Sequence, residues 1–211
     1  VRLWDSLMEM AKIGPTEKGG SCRLALTDLD REARDLFVHW CREAGCSISV
    51  DQMGNIFAQR AGTDPDLPPV VAGSHLDTQP TGGRFDGVYG VLTGLEVIRS
   101  LNDHGIQTRY PIEAACWTNE EGSRFAPAMV ASGVFAGIYD LEYGLSRADS
   151  EGRTMGQELE RIGYAGDQPM GRPLHAYFEA PIEQGPILVE EGIEIGVVTD
   201  AQGQRWYELE L

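Results

Sequence analysis

Val70-Val71-Ala72-Gly73-Ser74-His75-Leu76-Asp77-Thr78 is the stretch on which the fold turns. Val70 to Gly73 is a short apolar run with no polar side, the pattern of a strand buried on both faces. It then gives way to polar, chemically capable side chains. Ile112 to Trp117 is a second core run, and between the two lies Val88 to Leu101, apolar around much of its circumference and read as a buried helix. Strands alternating with helices predict an α/β fold, a mostly parallel central sheet flanked by helices. In such sheets ligands sit beyond the carboxyl ends of the central strands.

Further from this centre, Thr27-Asp28-Leu29-Asp30 is a capping-box-like helix start, with Asp in place of the usual Glu or Gln. Leu29, Ala33, Leu36, Phe37 and Trp40 follow at helical spacing, and the helix should end near Gly45. Ile48 and Val50, the turn Asp51-Gln52-Met53-Gly54-Asn55 and the return run Ile56-Phe57-Ala58 predict a hairpin. Residues 139–176 carry weak helical signals around Met155 to Ile162, within loops rich in Gly and Asp. Tyr177 to Glu179, Ile195 to Val198 and Arg205 to Leu211 read as strands. The chain opens on Val1 rather than Met, and its last alternation has no turn after it, so a fragment is expected.

A formal charge of −16 and a pI near 4.5 suit a phosphate backbone poorly, which argues against a nucleic-acid partner. No apolar run approaches the ~20 residues that span a bilayer. The start, Val1-Arg2-Leu3-Trp4-Asp5, has neither the basic nor the apolar region of a signal peptide. Cys22, Cys41, Cys46 and Cys116 form no CxxC pair and read as reduced thiols of a cytoplasmic protein.

Three clusters carry candidate chemistry. In the first, Gly73 to Thr78, His75 and Asp77 point to one side of an extended chain. A carboxylate there can take the hydrogen bond of one ring nitrogen and leave the other for a metal. In the second, Gly82-Gly83-Arg84-Phe85-Asp86-Gly87, glycines allow backbone close to Asp86, whose carboxylate can lie between two cations. The Gly-Lys-Ser/Thr ending of a phosphate loop is absent. The third is Trp117-Thr118-Asn119-Glu120-Glu121-Gly122, whose adjacent acids point in different directions. One can bind a metal while the other takes a proton from water. Each cluster alone has a plain structural reading, as a capped histidine, a helix cap or a solvated turn. Together, after core strands, they form a histidine–carboxylate shell suited to two metal ions ~3.5–4 Å apart.

These motifs carry a resemblance. GSHLDT, FDGVYG, TNEEGSRF and IEQGP, at Gly73 to Thr78, Phe85 to Gly90, Thr118 to Phe125 and Ile182 to Pro186, are together very specific. Over nearly the whole chain the sequence resembles the N-carbamoyl-L-amino-acid hydrolases and allantoate amidohydrolases, a branch of the dinuclear metallopeptidase and amidohydrolase superfamily. The resemblance implies a zinc-exopeptidase-like catalytic domain, cut before a lid or dimerisation domain. His75 would bind one metal, Asp86 would bridge both and Glu121 would bind the second. Glu120 would be the general base, Asp77 would orient His75, and Gln184 would contact substrate. The cofactor would be two divalent ions (Zn, Mn, Co or Ni), and the full-length protein a homodimer. The implied reaction hydrolyses a ureido group: water deprotonated by Glu120 attacks the carbamoyl carbon, releasing an amino acid, ammonia and carbon dioxide.

Two departures follow from the same resemblance. The family motif has a metal-binding histidine where this chain has Pro181, which offers no donor. The lid and a last ligand histidine would lie beyond Leu211, so the domain reading is 1–198 as an incomplete metal-binding unit and 199–211 as the start of the lid. His175, six residues upstream of Pro181, is no assured replacement, and His39 and His104 look structural or solvated. The rival readings are a peptidase of the same superfamily, against which TNEEGSRF and IEQGP argue, and a catalytically silent fragment, which Pro181 favours.

Overall fold

Residues 1–200 and Gly203 are described by the computed structural model of the chain. From the amino end, α1 (Arg2–Met10) and α2 (Asp28–Glu43) precede a hairpin of β1 (Ser47–Val50) and β2 (Ile56–Arg60). β3 (Val70–His75), α3 (Val88–Asp103) and β4 (Ile112–Trp117) form the central unit. Then come α4 (Val130–Phe135), α5 (Leu141–Leu145), α6 (Met155–Ile162), β5 (Ala176–Phe178) and α7 (Ile187–Glu191).

The sheet runs β1-β2-β4-β3-β5. β3 is parallel to both β4 and β5, and only β2 opposes the common direction, being antiparallel to β1 and β4. The sheet is therefore mixed but mostly parallel, as expected, and the one reversal is the cost of a tight hairpin. Alternation along the strands divides the core. Ile56, Ala58, Ala114 and Cys116 pack with Phe37 of α2 and Leu92, Leu95 and Ile98 of α3. Phe57, Val71, Ala115 and Trp117 face the other side, under Phe135 of α4 and Leu174. α3 lies tight on β3 because Gly90 and Gly94 bring no side chain: a Cβ at Gly90 would stand 2.6 Å from Ser74 Cβ, and one at Gly94 2.7 Å from the Ala72 carbonyl.

The capping reading at α2 holds in part. Thr27 Oγ1 accepts from the Asp30 amide, but the Asp30 carboxylate turns away to the Leu26 amide and to Arg34, so the box is not closed. The Ile195–Val198 strand is not formed. Ile195, Val197 and Val198 are exposed, and among the described residues no strand lies beside them, so there the alternation has neither ladder nor core to pair with. The strand expected over 205–211 lies outside the described residues. α1 escaped the sequence reading because it starts without a side-chain cap; its buried Leu7 and Met10 supply the order instead.

Candidate active site

β3 and β4 are in register so that His75, the last residue of one, stands opposite Trp117, the last residue of the other. The loops that follow carry Asp77 and Glu120-Glu121 away from the same edge of the sheet, where the topology predicts chemistry. The loop carrying Asp86 enters α3 through Gly87, whose φ of +66° suits glycine, and a Cβ there would lie 2.5 Å from the His75 ring. Glycine at 87 is what lets the Asp86 loop close over the imidazole.

His75 is buried at 5% exposure. Its Nδ1 is 2.8 Å from the carbonyl oxygen of Asp77, which can only accept, so Nδ1 carries the proton. In the neutral ring Nε2 is then the free donor atom. It faces Glu120 Oε2 at 3.3 Å and Asp86 Oδ1 at 3.9 Å. The contact from Asp77 to the ring is therefore its main-chain carbonyl; its carboxylate is 4.0 Å from Nδ1, too far for a hydrogen bond. That carboxylate instead accepts the amides of Glu120 and Glu121, each at 3.2 Å, because they point straight down at it from the end of β4. Asp77 is the tie between the two loops.

Charge is crowded here. Burial, and then the neighbouring carboxylates Asp77, Glu121 and Glu179 against the opposing pull of His75, push Glu120 up to about 7. Burial alone would lower His75, but Asp77 and Glu120 outweigh it and raise it. Glu121 has one oxygen held by Gln79 at 3.0 Å, while the other, Oε1, is buried with no partner among the described residues. Gln184, expected to meet substrate, donates to Asp86 Oδ2 at 2.6 Å.

No three-donor cluster is already closed around a metal position among the described residues. The donor set nonetheless fits a divalent cation. One imidazole nitrogen is left free by its tautomer, carboxylates surround it, and the orphaned Glu121 oxygen lacks the partner a buried oxygen needs. At Pro181 the register is informative. Ala72 pairs with Phe178, so three further residues along both strands would bring 181 level with His75. His175 is at the wrong end: its amide bonds Pro69 before β3 and its ring stacks on Tyr110, about 20 Å of strand from His75. His39 pairs with Glu43 and His104 with the Ser100 carbonyl, both away from the site.

Beside Glu120 opens a cleft of about 530 Å³ walled by Trp117, Phe135, Leu174 and Tyr177. Glu179 lies on it, its two oxygens held by Ser74 Oγ at 2.7 Å and Tyr177 Oη at 2.9 Å. No motif marks Glu179 in the sequence; the only local signal is its i, i+2 relation to Tyr177 at the end of a strand, which puts both on one face.

The class is defined by an open α/β sheet with an imidazole and several carboxylates gathered past its parallel strands. The chain belongs to peptidase family M20/M25/M40, whose model matches residues 71–211. It is 63% identical over 211 residues to an N-carbamoyl-L-amino-acid amidohydrolase of Rhizobium meliloti, covering all of this chain and 51% of that protein. A second N-carbamoyl-L-amino acid amidohydrolase, from Geobacillus stearothermophilus, is 40% identical over 97% of this chain and 51% of its own length. Among solved structures, an amidase of the hydantoinase/carbamoylase family from Burkholderia multivorans superposes with a TM-score of 0.90 at 72% identity, over 90% of this chain and 47% of that one. The chain spans about half the length of the curated relatives it matches. Among the described residues no helix is long and apolar enough to cross a membrane.

Proposed function

We propose that residues 1–198 form the metal-binding part of an amidohydrolase that cleaves the ureido C–N bond of an N-carbamoyl-L-amino acid or a related ureido acid, and that 199–211 lead into a lid domain. The observation that carries this is the His75 ring, its Nδ1 fixed by the Asp77 carbonyl and its free Nε2 turned to Glu120 and Asp86. His75 would hold one divalent ion, Asp86 would bridge, and Glu121 would hold the second. A pair of such ions supplies Lewis acidity toward the carbonyl and makes water more acidic. Glu120 takes the proton of the attacking water and returns it to the leaving nitrogen. The carbamoyl carbon gains the hydroxyl and releases the amino acid. The carbamate so formed breaks down to ammonia and carbon dioxide. A carboxyl held near 7 is matched to accepting and donating a proton in neutral solution. Gln184, which donates to Asp86 Oδ2, would exchange that contact for substrate.

The names of the two amidohydrolases described above support the carbamoyl substrate over a peptide. The same reading takes the complete protein as a cytoplasmic homodimer that acts on small molecules, and the charge of −16 on this chain speaks against a nucleic-acid partner. The test is amino-acid release by the full-length polypeptide, supplied with Mn²⁺ or Zn²⁺, from N-carbamoyl-L-amino acids and from dipeptides. Carbamoyl substrates should be preferred, and Glu120→Gln should lower kcat by ~10²–10⁴. Preferential cleavage of dipeptides would overturn the reading.

A further inference from the structure

Arg23 is 1% exposed and lies under the site without touching His75, Asp86, Glu120 or Glu121. Its Nη1 donates to the Ile13 carbonyl at 2.9 Å and its Nε to the Leu76 carbonyl at 3.2 Å, between His75 and Asp77. Its backbone closes a pair with Thr78: the Arg23 amide donates to Thr78 Oγ1 at 2.7 Å, and the Thr78 amide to the Arg23 carbonyl at 2.8 Å. Two residues upstream, Ser21 exchanges both backbone hydrogen bonds with Gly82, at 2.9 and 3.0 Å. The segment 21–23 therefore grips both ends of the loop that runs from His75 toward Asp86.

Arg34 offers a comparison. It is also fully buried, but its charge is met by Asp30 at 2.9 Å, and it steadies the other loop through the Gly54 carbonyl and Thr118 Oγ1. Arg23 has no carboxylate within 4.0 Å among the described residues, and its Nη2 has no partner. Even with the charges of Asp30 and Asp77 nearby, burial of a guanidinium without a close carboxylate works against stability, and an apolar residue of similar volume is commonly neutral or better for a fold. Packing alone does not explain an arginine here; what it holds does.

We infer that Arg23 is a positioning residue: its guanidinium fixes the Leu76 carbonyl while its main chain pairs with Thr78, and together they set the Asp77 carboxylate between them and through it the Glu120 and Glu121 amides, so that both loops of the donor set take their place from one buried residue. The working role of those loops rests on the function proposed above; the brace itself is a statement about geometry. The two are tested apart.

Native-state hydrogen exchange of this chain reads the geometry. In Arg23→Met the amides of Thr78, Glu120 and Glu121 should exchange at least about tenfold faster than in the parent, relative to Val71 and Ala114 in the sheet. Arg23→Lys, which keeps the charge but not the fork, should show the same pattern more weakly and stands in if the methionine variant does not fold. Uniform acceleration at all five amides, as from a merely structural residue, or none at the loops, would overturn the inference. Titration with Mn²⁺ reads the site: affinity in both variants should fall at least about tenfold, the usual order for loss of an outer support. A parent chain that binds no divalent ion would sink the proposed function, and the exchange pattern would still decide the role of Arg23.

Discussion

Glu120 shows how a single side chain is tuned by position rather than by identity. Its neighbour Glu121 has the same chemistry, yet Glu120 is the one set against His75, while Glu121 turns to Gln79. Burial and nearby carboxylates raise Glu120 from the ordinary carboxyl value to about 7. The linkage follows. The folded state binds this proton more tightly than the unfolded chain does, so the stability it contributes is full below about pH 4.5 and is lost as pH rises through about 7. Glu120→Gln, which cannot ionise, should raise the melting temperature of the metal-free protein at pH 8 and leave it unchanged near pH 4. Calorimetry at the two pH values checks this, and an equal shift at both would mean that the proton is not the cause. His75 makes the complementary point. The pairing of His75 with Asp77 was legible in the chain, since two residues in extended backbone share a face. That the contact would be the backbone carbonyl, with the carboxylate spent on the next loop, was not legible, because it depends on where β4 ends.

Among the elements, the β1–β2 hairpin does more than complete the sheet. Its turn is closed by Asp51, which accepts from the Met53 and Asn55 amides at 2.9 Å each and from Asn55 Nδ2 at 2.8 Å. Asn55 Oδ1 in turn accepts the Thr118 amide at 2.9 Å, at the point where β4 leaves the sheet for Glu120. A turn that the sequence marks by its Gly and Asn thereby supports the acidic loop. Asn55→Ala would strand a buried amide and a buried carboxylate oxygen together, at a cost of about 2–4 kcal/mol. Urea unfolding of the two proteins measures it; a cost below ~0.5 kcal/mol would mean that solvent reaches these groups. The same hairpin accounts for the one strand that runs against the others.

For the molecule as a whole, the decisive position is 181. β5 lies parallel to β3 at the edge of the sheet, and its register points 181 at the level of His75. A histidine there would add a nitrogen donor to His75 and Asp86, whereas proline adds none and also withholds an N–H from any extension of the ladder. Pro181→His should therefore tighten Mn²⁺ or Zn²⁺ binding by this chain at least about tenfold, with little change in the melting temperature of the metal-free form. Isothermal titration of both versions decides it, and equal affinities would mean that 181 does not face the metals.

The sequence by itself determined the central unit, because buried strands and a buried helix announce themselves through unbroken apolar runs that few other structures tolerate. It also determined which residue types stand at the ends of those strands, and through four short motifs the family. Tertiary structure alone decided the rest. It chose which of two adjacent glutamates meets the imidazole, spent the Asp77 carboxylate on the neighbouring loop, and left Ile195 to Val198 without a strand to join among the described residues. It also placed Arg23, far from the motifs in sequence, beneath the loop that follows β3. The physical reason is common to all of these. Periodicity is a local property of the chain, whereas a hydrogen bond between distant segments depends on register and on where each strand stops.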